Sequence, residues 1–246
     1  MNIKKHIPNA ITSLNLVSGC IAIILTFNFD LKYAAYFILL AAVFDFFDGM
    51  AARWLHVKSA IGKELDSLAD VVSFGVAPGL IVFQLCAVSN DIVLFAGEIN
   101  LVPFIALLIP VFSALRLAKF NLDARQTESF IGLPVPANAL MIASLPLILN
   151  QIDQGVNQND SLLGIVITST WFLLGLTIVM SFLLVSGIRL FSLKFKNLNW
   201  NGNEYRLIFL IGSLLLLVFF QFIAIPIILL LYIVLSLFQD KQASRN

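Results

Sequence analysis

Residues 33–88 read YAAYFILLAAVFDFFDGMAARWLHVKSAIGKELDSLADVVSFGVAPGLIVFQLCAV. Two apolar runs, at 33–54 and 66–88, each approach the ~20 residues that a helix needs to cross a bilayer. A short basic turn, His56 to Ser59, joins them. Five acids, Asp45, Asp48, Glu64, Asp66 and Asp70, lie on either side of that turn. The spacing predicts two antiparallel membrane helices whose acidic ends meet at one membrane surface. Asp45 and Asp48 are three residues apart and Asp66 and Asp70 four apart, so each pair shares a helix face. Gly49, Ala52 and Arg53 extend the first acidic stripe, and Gly62 extends the second.

The rest of the chain agrees with a membrane environment. Of 246 residues, 60% are hydrophobic and 12% charged, with a mean hydropathy of +0.97. A soluble domain carries ~45–50% apolar and ~25% charged residues, so this chain could not clothe a water-facing surface. Apolar runs predict an all-α polytopic membrane protein of about eight helices, at 9–28, 33–54, 66–88, 101–119, 135–150, 163–188, 206–220 and 223–238. The tract holding the last two is too long for one crossing, and Gln221 and Pro226 mark an expected hairpin. With the N-terminus inside, all 15 Lys and Arg except Lys32 fall in inner segments, which places both termini in the cytoplasm. The location this implies is the cell (cytoplasmic) membrane. No repeat, linker or soluble segment interrupts the pattern, so residues 1–246 read as one membrane-embedded domain. Lys4 and Lys5 precede an apolar stretch without a small-residue cleavage site, so the first helix is expected to be retained.

Several features carry no site. The net charge of +1 and the lack of a basic run argue against a nucleic-acid partner. Cys20 and Cys86 fall within apolar runs and read as small membrane-core residues. His6 and His56 are isolated and interfacial, and Trp54, Trp171 and Trp200 fit an aromatic belt.

An acidic cluster beside membrane helices calls for an explanation, since each charge is expensive there. Close carboxylates repel, and hard divalent cations with oxygen ligands relieve that repulsion. A Mg²⁺ or Mn²⁺ pair bridged by Asp45, Asp48, Asp66 and Asp70, open to phosphate oxygens, would promote phosphoryl transfer. Arg53 on the same stripe would hold a phosphate, and Gly49 would let a phosphate or ribose approach the backbone. Two other readings remain open at this point. One is an interfacial salt-bridge network with Arg53, Lys58 and Lys63; the other is an ion pathway in a transporter or channel.

These residues resemble the CDP-alcohol phosphatidyltransferase family, whose signature D-x2-D-G-x2-A-R-x8-G-x3-D-x3-D is filled by Asp45, Asp48, Gly49, Ala52, Arg53, Gly62, Asp66 and Asp70. Further segments, PNAITSLN at 8–15, VVSFGVAP at 71–78, RLAKFN at 116–121 and FIGLPVPA at 130–137, are similar to its membrane-spanning, serine-accepting branch. The resemblance implies transfer of a phosphatidyl group from CDP-diacylglycerol to L-serine with release of CMP, at an active site facing the cytoplasm. Within the family, glycerol phosphate, inositol or inositol phosphate are alternative acceptors, and an ether lipid an alternative donor. It also implies a homodimer in the bilayer. The implied catalytic portion is about 1–150, with additional transmembrane helices at about 160–240. By position, Asp45, Asp48 and Asp66 match metal-binding acids, and Asp70 matches the fourth acid, which also accepts the proton. Gly49, Arg53, Ser59 and the stretch Pro8, Asn9, Ala10, Ile11 match contacts to the CDP moiety. Arg116, with Lys119 and Asn121 nearby, is expected to bind the acceptor's carboxylate or a phosphate. The third segment has Lys119 where the family usually has Arg, which keeps the charge but loses the planar fork. Ser73, Gly75 and Pro78 are expected to shape the third helix near the acceptor.

Overall fold

A computed structural model describes residues 6–57, 60–89, 91–122, 129–155, 162–191 and 203–243. The first helix, α1 (His6–Phe27), inverts the pattern of a soluble helix. Its buried face is Pro8, Thr12, Asn15, Ser18, Gly19, Ala22 and Thr26, all small or polar, while Leu14, Val17 and Ile24 are exposed. In lipid the hydrophobic effect does not press helices together, so close approach of small side chains and interhelical hydrogen bonds must do so. Helix α2 (Leu31–Trp54) lies against this stripe with Ala34, Ala35, Ile38 and Ala41 buried.

The chain reverses after α1 and α2 in the same way. Phe29 and His56 take positive φ (61° and 52°). At the second reversal His56 N–H donates to Arg53 O at 3.2 Å and Val57 N–H to Ala52 O at 3.1 Å. This is the pair of bonds that closes a helix around a left-handed residue, here built without glycine. It aims the chain back into α3 (Ala60–Asp70).

From α3 the third span continues to Val88, beginning earlier than the apolar run at 66 suggested and departing from a uniform α-helix. Residues Val71–Val76 form a π-helical stretch before α4 (Ala77–Val88) resumes. Three glycines hold this region close to its neighbours. A Cβ on Gly19 would collide with Ser73, and Cβ atoms on Gly75 and Gly79 would meet Ser113 and Pro110 at 3.2 and 2.9 Å. The wide π turn is thereby wedged between α1 and α5 (Leu108–Leu122), which a 3₁₀ stretch (Val102–Leu107) precedes. The main core, around Ala22, Ile38, Phe74, Ile81, Ile109 and Ile142, is shared by these helices and α6 (Val135–Gly155).

Among the described residues, six helical stretches are long and apolar enough to cross a membrane, or up to seven if the bent pair α7 (Leu162–Thr168) and α8 (Thr170–Val185), at 65° to each other, counts as one. The expectation of eight requires two passes from Glu204–Asp240, which counts here as one 37-residue stretch. That stretch is broken where expected. Gln221 has φ 50° between α9 (Glu204–Phe220) and α10 (Ala224–Ala243). The arms fold back on each other, with Leu231 Cδ2 3.3 Å from where a Gly212 Cβ would lie.

The all-α expectation omits two small antiparallel ribbons among the described residues. One is a β1–β2 hairpin (Phe95–Ala96 with Ile99–Asn100), turned at Gly97. The other pairs β3 (Ser129–Ile131) with β4 (Arg189–Phe191), and Gly132 and Leu133 extend it by donating to Ile188 O and Leu183 O, both at 2.9 Å. A second core of Leu133, Met180, Leu190, Phe191, Phe209, Leu229 and Tyr232 lies around this ribbon. Cys86 is buried as expected, whereas Cys20 is exposed on α1 because it lies off the small-residue stripe. Trp54 and Trp171 are exposed, and Trp200 lies outside the described residues.

Gly132 has φ 76°, and a Cβ there would lie 2.5 Å from Leu184 O. Gly132→Ala is therefore expected to destabilise the fold by roughly 2 kcal/mol or more, through strain and backbone collision. Gly175→Ala, whose Cβ would meet nothing within 4 Å on α8, is the contrasting substitution, neutral or slightly stabilising. Thermal unfolding in detergent checks both, and equal midpoints for the two variants would contradict the packing described.

Candidate active site

Antiparallel α2 and α3 bring together side chains that the sequence separates by a turn. One ligand oxygen each from Asp45, Asp48 and Asp66 lie within 4.8 Å of one another. Asp48 is buried, and Asp45 and Asp66 are half-buried. Among the described residues no Lys, Arg or His forms an ion pair with any of the three; the ion pair present is Arg189 with Asp240, at 3.9 Å. Lys63 of the salt-bridge alternative donates instead to Asn121 O at 3.2 Å, and Lys58 lies outside the described residues. Three converging carboxylates with unmatched charge and hard oxygen donors fit Mg²⁺ or Mn²⁺. Glu64 is exposed and is not part of the group.

Asp70 stands apart from this trio. It is buried at the end of α3, within electrostatic reach of Asp45 and Asp66. Asn15 Nδ2 donates to its Oδ1 at 3.1 Å. Asn15 is itself anchored, since Ser73 of the π stretch donates its hydroxyl to Asn15 O at 3.0 Å. The same α1 stripe supports Asp48, which accepts a 2.6 Å hydrogen bond from Thr12 Oγ1. Thr12 also donates toward Pro8 O at 3.0 Å, so this hydroxyl is shared between two acceptors. Neither Thr12 nor Asn15 was singled out from the sequence, although both lie in the segment 8–15.

A cavity of about 490 Å³ opens beside the trio, lined by Pro8, Asn9 and Thr12 of α1, Asp48, Gly49 and Ala52 of α2, and Gly62, Lys63 and Asp66 of α3. Arg53 is exposed at its edge, its Nη1 3.5 Å from where a Gly49 Cβ would lie. Of the expected stretch 8–11, Pro8 and Asn9 line the cavity. Ala10 is exposed outside it, and Ile11 lines an apolar groove of about 640 Å³ with Leu14, Phe44, Phe47, Met50, Ala51 and Trp54. The cavity that holds the carboxylates and the apolar groove thus both draw on α1 and α2. Ser59 lies outside the described residues.

The three expected acceptor residues separate. Arg116 is 7% exposed, stacks on Phe120 with its guanidinium carbon 4.9 Å from the ring centre, and lies within electrostatic reach of Asp70. Its Nε and Nη2 are buried without a hydrogen-bond partner. Lys119 is exposed. Asn121 donates to Ser67 Oγ at 2.8 Å, tying the end of α5 to α3.

The CDP-alcohol phosphatidyltransferase family matches the chain over residues 5–183. Among curated relatives, CDP-diacylglycerol–serine O-phosphatidyltransferase of Bacillus subtilis (strain 168) is 36% identical over 152 residues, covering 60% of this chain and 79% of the relative. The protein of the same name from Helicobacter pylori (strain J99) is 30% identical over 209 residues, covering 84% and 80%. Archaetidylserine synthase of Methanothermobacter thermautotrophicus is 34% identical over 157 residues, covering 60% and 62%.

Thr12 orients one carboxylate of the trio, so Thr12→Val is expected to weaken divalent-ion binding by roughly tenfold while leaving the protein folded. Calorimetric titration with Mn²⁺ reads this directly, and an unchanged isotherm would separate Asp48 from any ion site.

Proposed function

The chain belongs to the CDP-alcohol phosphatidyltransferase family, and on that premise we propose that it transfers the phosphatidyl group of CDP-diacylglycerol to the hydroxyl of L-serine, releasing CMP. The observation that carries this reading is the convergence of Asp45, Asp48 and Asp66 beside a cavity, with Asp70 held separately by Asn15. The acceptor rests on the relatives, whose names share serine while the lipid named differs.

The residues divide the work by position. Asp45, Asp48 and Asp66 hold Mg²⁺ or Mn²⁺, and Asp70 borders the same site. When bound, such a pair of ions neutralises a diphosphate and stabilises the departing phosphate. Pro8, Asn9 and Gly49 shape the cavity that takes the nucleotide, and Gly49 leaves the backbone open to it. Arg53 at the rim supplies a charge-assisted contact to phosphate. The apolar groove on the adjoining faces of α1 and α2 keeps acyl chains in lipid while the polar head enters the cavity.

Asp70 accepts the proton of the serine hydroxyl, whose oxygen then attacks the lipid-side phosphorus in line. Asn15 contributes by fixing one carboxylate oxygen, leaving the other free for that proton. Holding nucleophile and base in register supplies much of the rate, since proximity replaces a bimolecular encounter. Arg116 faces Asp70 from α5 with two free donors, which suits the serine carboxylate. Lys119 adds positive charge nearby, and Asn121 braces α5 against α3. The distribution of Lys and Arg supports an active site facing the cytoplasm, with both termini on that side.

Purified protein in detergent with CDP-diacylglycerol tests the reading through CMP release and lipid product. L-serine is expected to support both, glycerol 3-phosphate and inositol neither, and chelator to abolish them. Release with another acceptor alone would overturn the serine assignment, and no release from metal-loaded protein would overturn the reaction. Asp70→Asn is expected to retain nucleotide binding but lose at least ~100-fold in turnover, as removal of a general base does. Turnover like that of the unaltered protein would remove Asp70 as the base.

A further inference from the structure

Lys63 lines the cavity together with Asp66, three residues on along α3, yet forms no ion pair with it. Its ammonium donates instead to Asn121 O at 3.2 Å. That carbonyl is one of the last four of α5, which have no partner within the helix. The junction of α3 with α5 has a second support that does not involve the ammonium. Asn121 Nδ2 donates to Ser67 Oγ at 2.8 Å, and Ser67, one turn beyond Lys63, donates to Lys63 O at 3.3 Å. These two bonds join the Asn121 side chain to the α3 backbone. A cation over a helix end adds little when it is exposed, and Lys63 is exposed.

An ammonium carries three N–H donors, and Asn121 O takes one. The positive charge thus stands in the wall of a cavity that Asp48 and Asp66 also line, without being spent on either carboxylate. A ligand that suits both must bring cations to the acids and oxygens to the ammonium. A phosphate bound through a divalent ion does so: the ion engages the carboxylates and some phosphate oxygens, and the remaining oxygens accept charge-assisted hydrogen bonds. Arg53 stands at the cavity edge on α2, whereas Lys63 belongs to α3, so two helices each offer one cation. The flexible four-carbon stem lets the ammonium turn toward such an oxygen, while the Ser67 tie keeps α5 in place.

We propose that Lys63 is a phosphate-binding residue of the donor site: its ammonium, steadied by Asn121 O, supplies charge-assisted hydrogen bonds from α3 to the diphosphate of the cytidine nucleotide, as Arg53 does from α2. This rests on the nucleotide reading of the cavity given above.

Lys63→Met keeps the apolar stem and removes the ammonium. Binding of CDP to the full chain in detergent with saturating Mg²⁺, read by calorimetry, is expected to weaken about tenfold, the size of one lost hydrogen bond between charged groups. Affinity for Mn²⁺ alone is expected to stay the same or rise, because a positive charge beside Asp66 has been removed. General loosening of the site would weaken both ligands together. Ser67→Ala cuts the tie to Asn121 and leaves the Lys63 charge in place, so CDP affinity is expected to stay within about twofold. Lys63→Gln replaces Lys63→Met if the latter does not fold, with the same expectations. An unchanged CDP affinity in the folded Lys63 variant, Mn²⁺ binding weakened in step with CDP, or an equal loss in Ser67→Ala would each overturn the proposal. Binding of CDP by the unaltered protein is measured first. Its absence from Mg²⁺-loaded protein would overturn the nucleotide reading itself, whereas normal binding that Lys63→Met leaves unmoved overturns only the role of Lys63.

Discussion

Repulsion among Asp45, Asp48 and Asp66 is the constraint around which this structure is organised. Three carboxylates with ligand atoms inside 4.8 Å, at the ends of membrane helices and without an ion pair among the described residues, do not gather for their own stability. Something else must hold the helices that carry them. The small and polar face of α1 does so: Ala22 and Gly19 permit close contact, Thr12 ties down Asp48, and Asn15 ties down Asp70. A divalent cation at that arrangement would relieve the repulsion among the three carboxylates.

The way Asp70 is held depends on backbone geometry. Were the third span a regular α-helix throughout, Ser73 would not meet the carbonyl of Asn15 in the way seen. The π stretch at Val71–Val76 brings Ser73 against Gly19 and so anchors the residue that holds Asp70. Local widening of a helix is common beside functional groups. Here it anchors the Asn15 that holds Asp70, beside the converging Asp45, Asp48 and Asp66 of the same two-helix unit.

The acidic stripes were readable because helical spacing is short-range: three- and four-residue intervals fix a shared face without knowledge of partners. Apolar run lengths located the helices for the same reason. Features set by tertiary contact were not readable in that way. The π stretch depends on wedging between α1 and α5, and the β3–β4 ribbon joins segments about 60 residues apart, with no alternating pattern to announce it. Ala10 and Ile11 show a simpler limit, since consecutive helical residues point about 100° apart and a four-residue stretch cannot all face one cavity. Asn121 likewise donates to Ser67 Oγ, a contact between α5 and α3 that spacing along the chain does not announce. Thr12 and Asn15 did leave a signal, a run of small and polar residues at 8, 12, 15, 19, 22 and 26 along an apolar helix. That stripe is the mark of a helix facing protein within a membrane.

The central claim is that the trio is a cation site, and anomalous diffraction from crystals grown with Mn²⁺ tests it most directly. The account predicts an anomalous peak bounded by the carboxylates of Asp45, Asp48 and Asp66. Manganese bound elsewhere with this trio empty, or basic side chains paired to the three carboxylates, would contradict it.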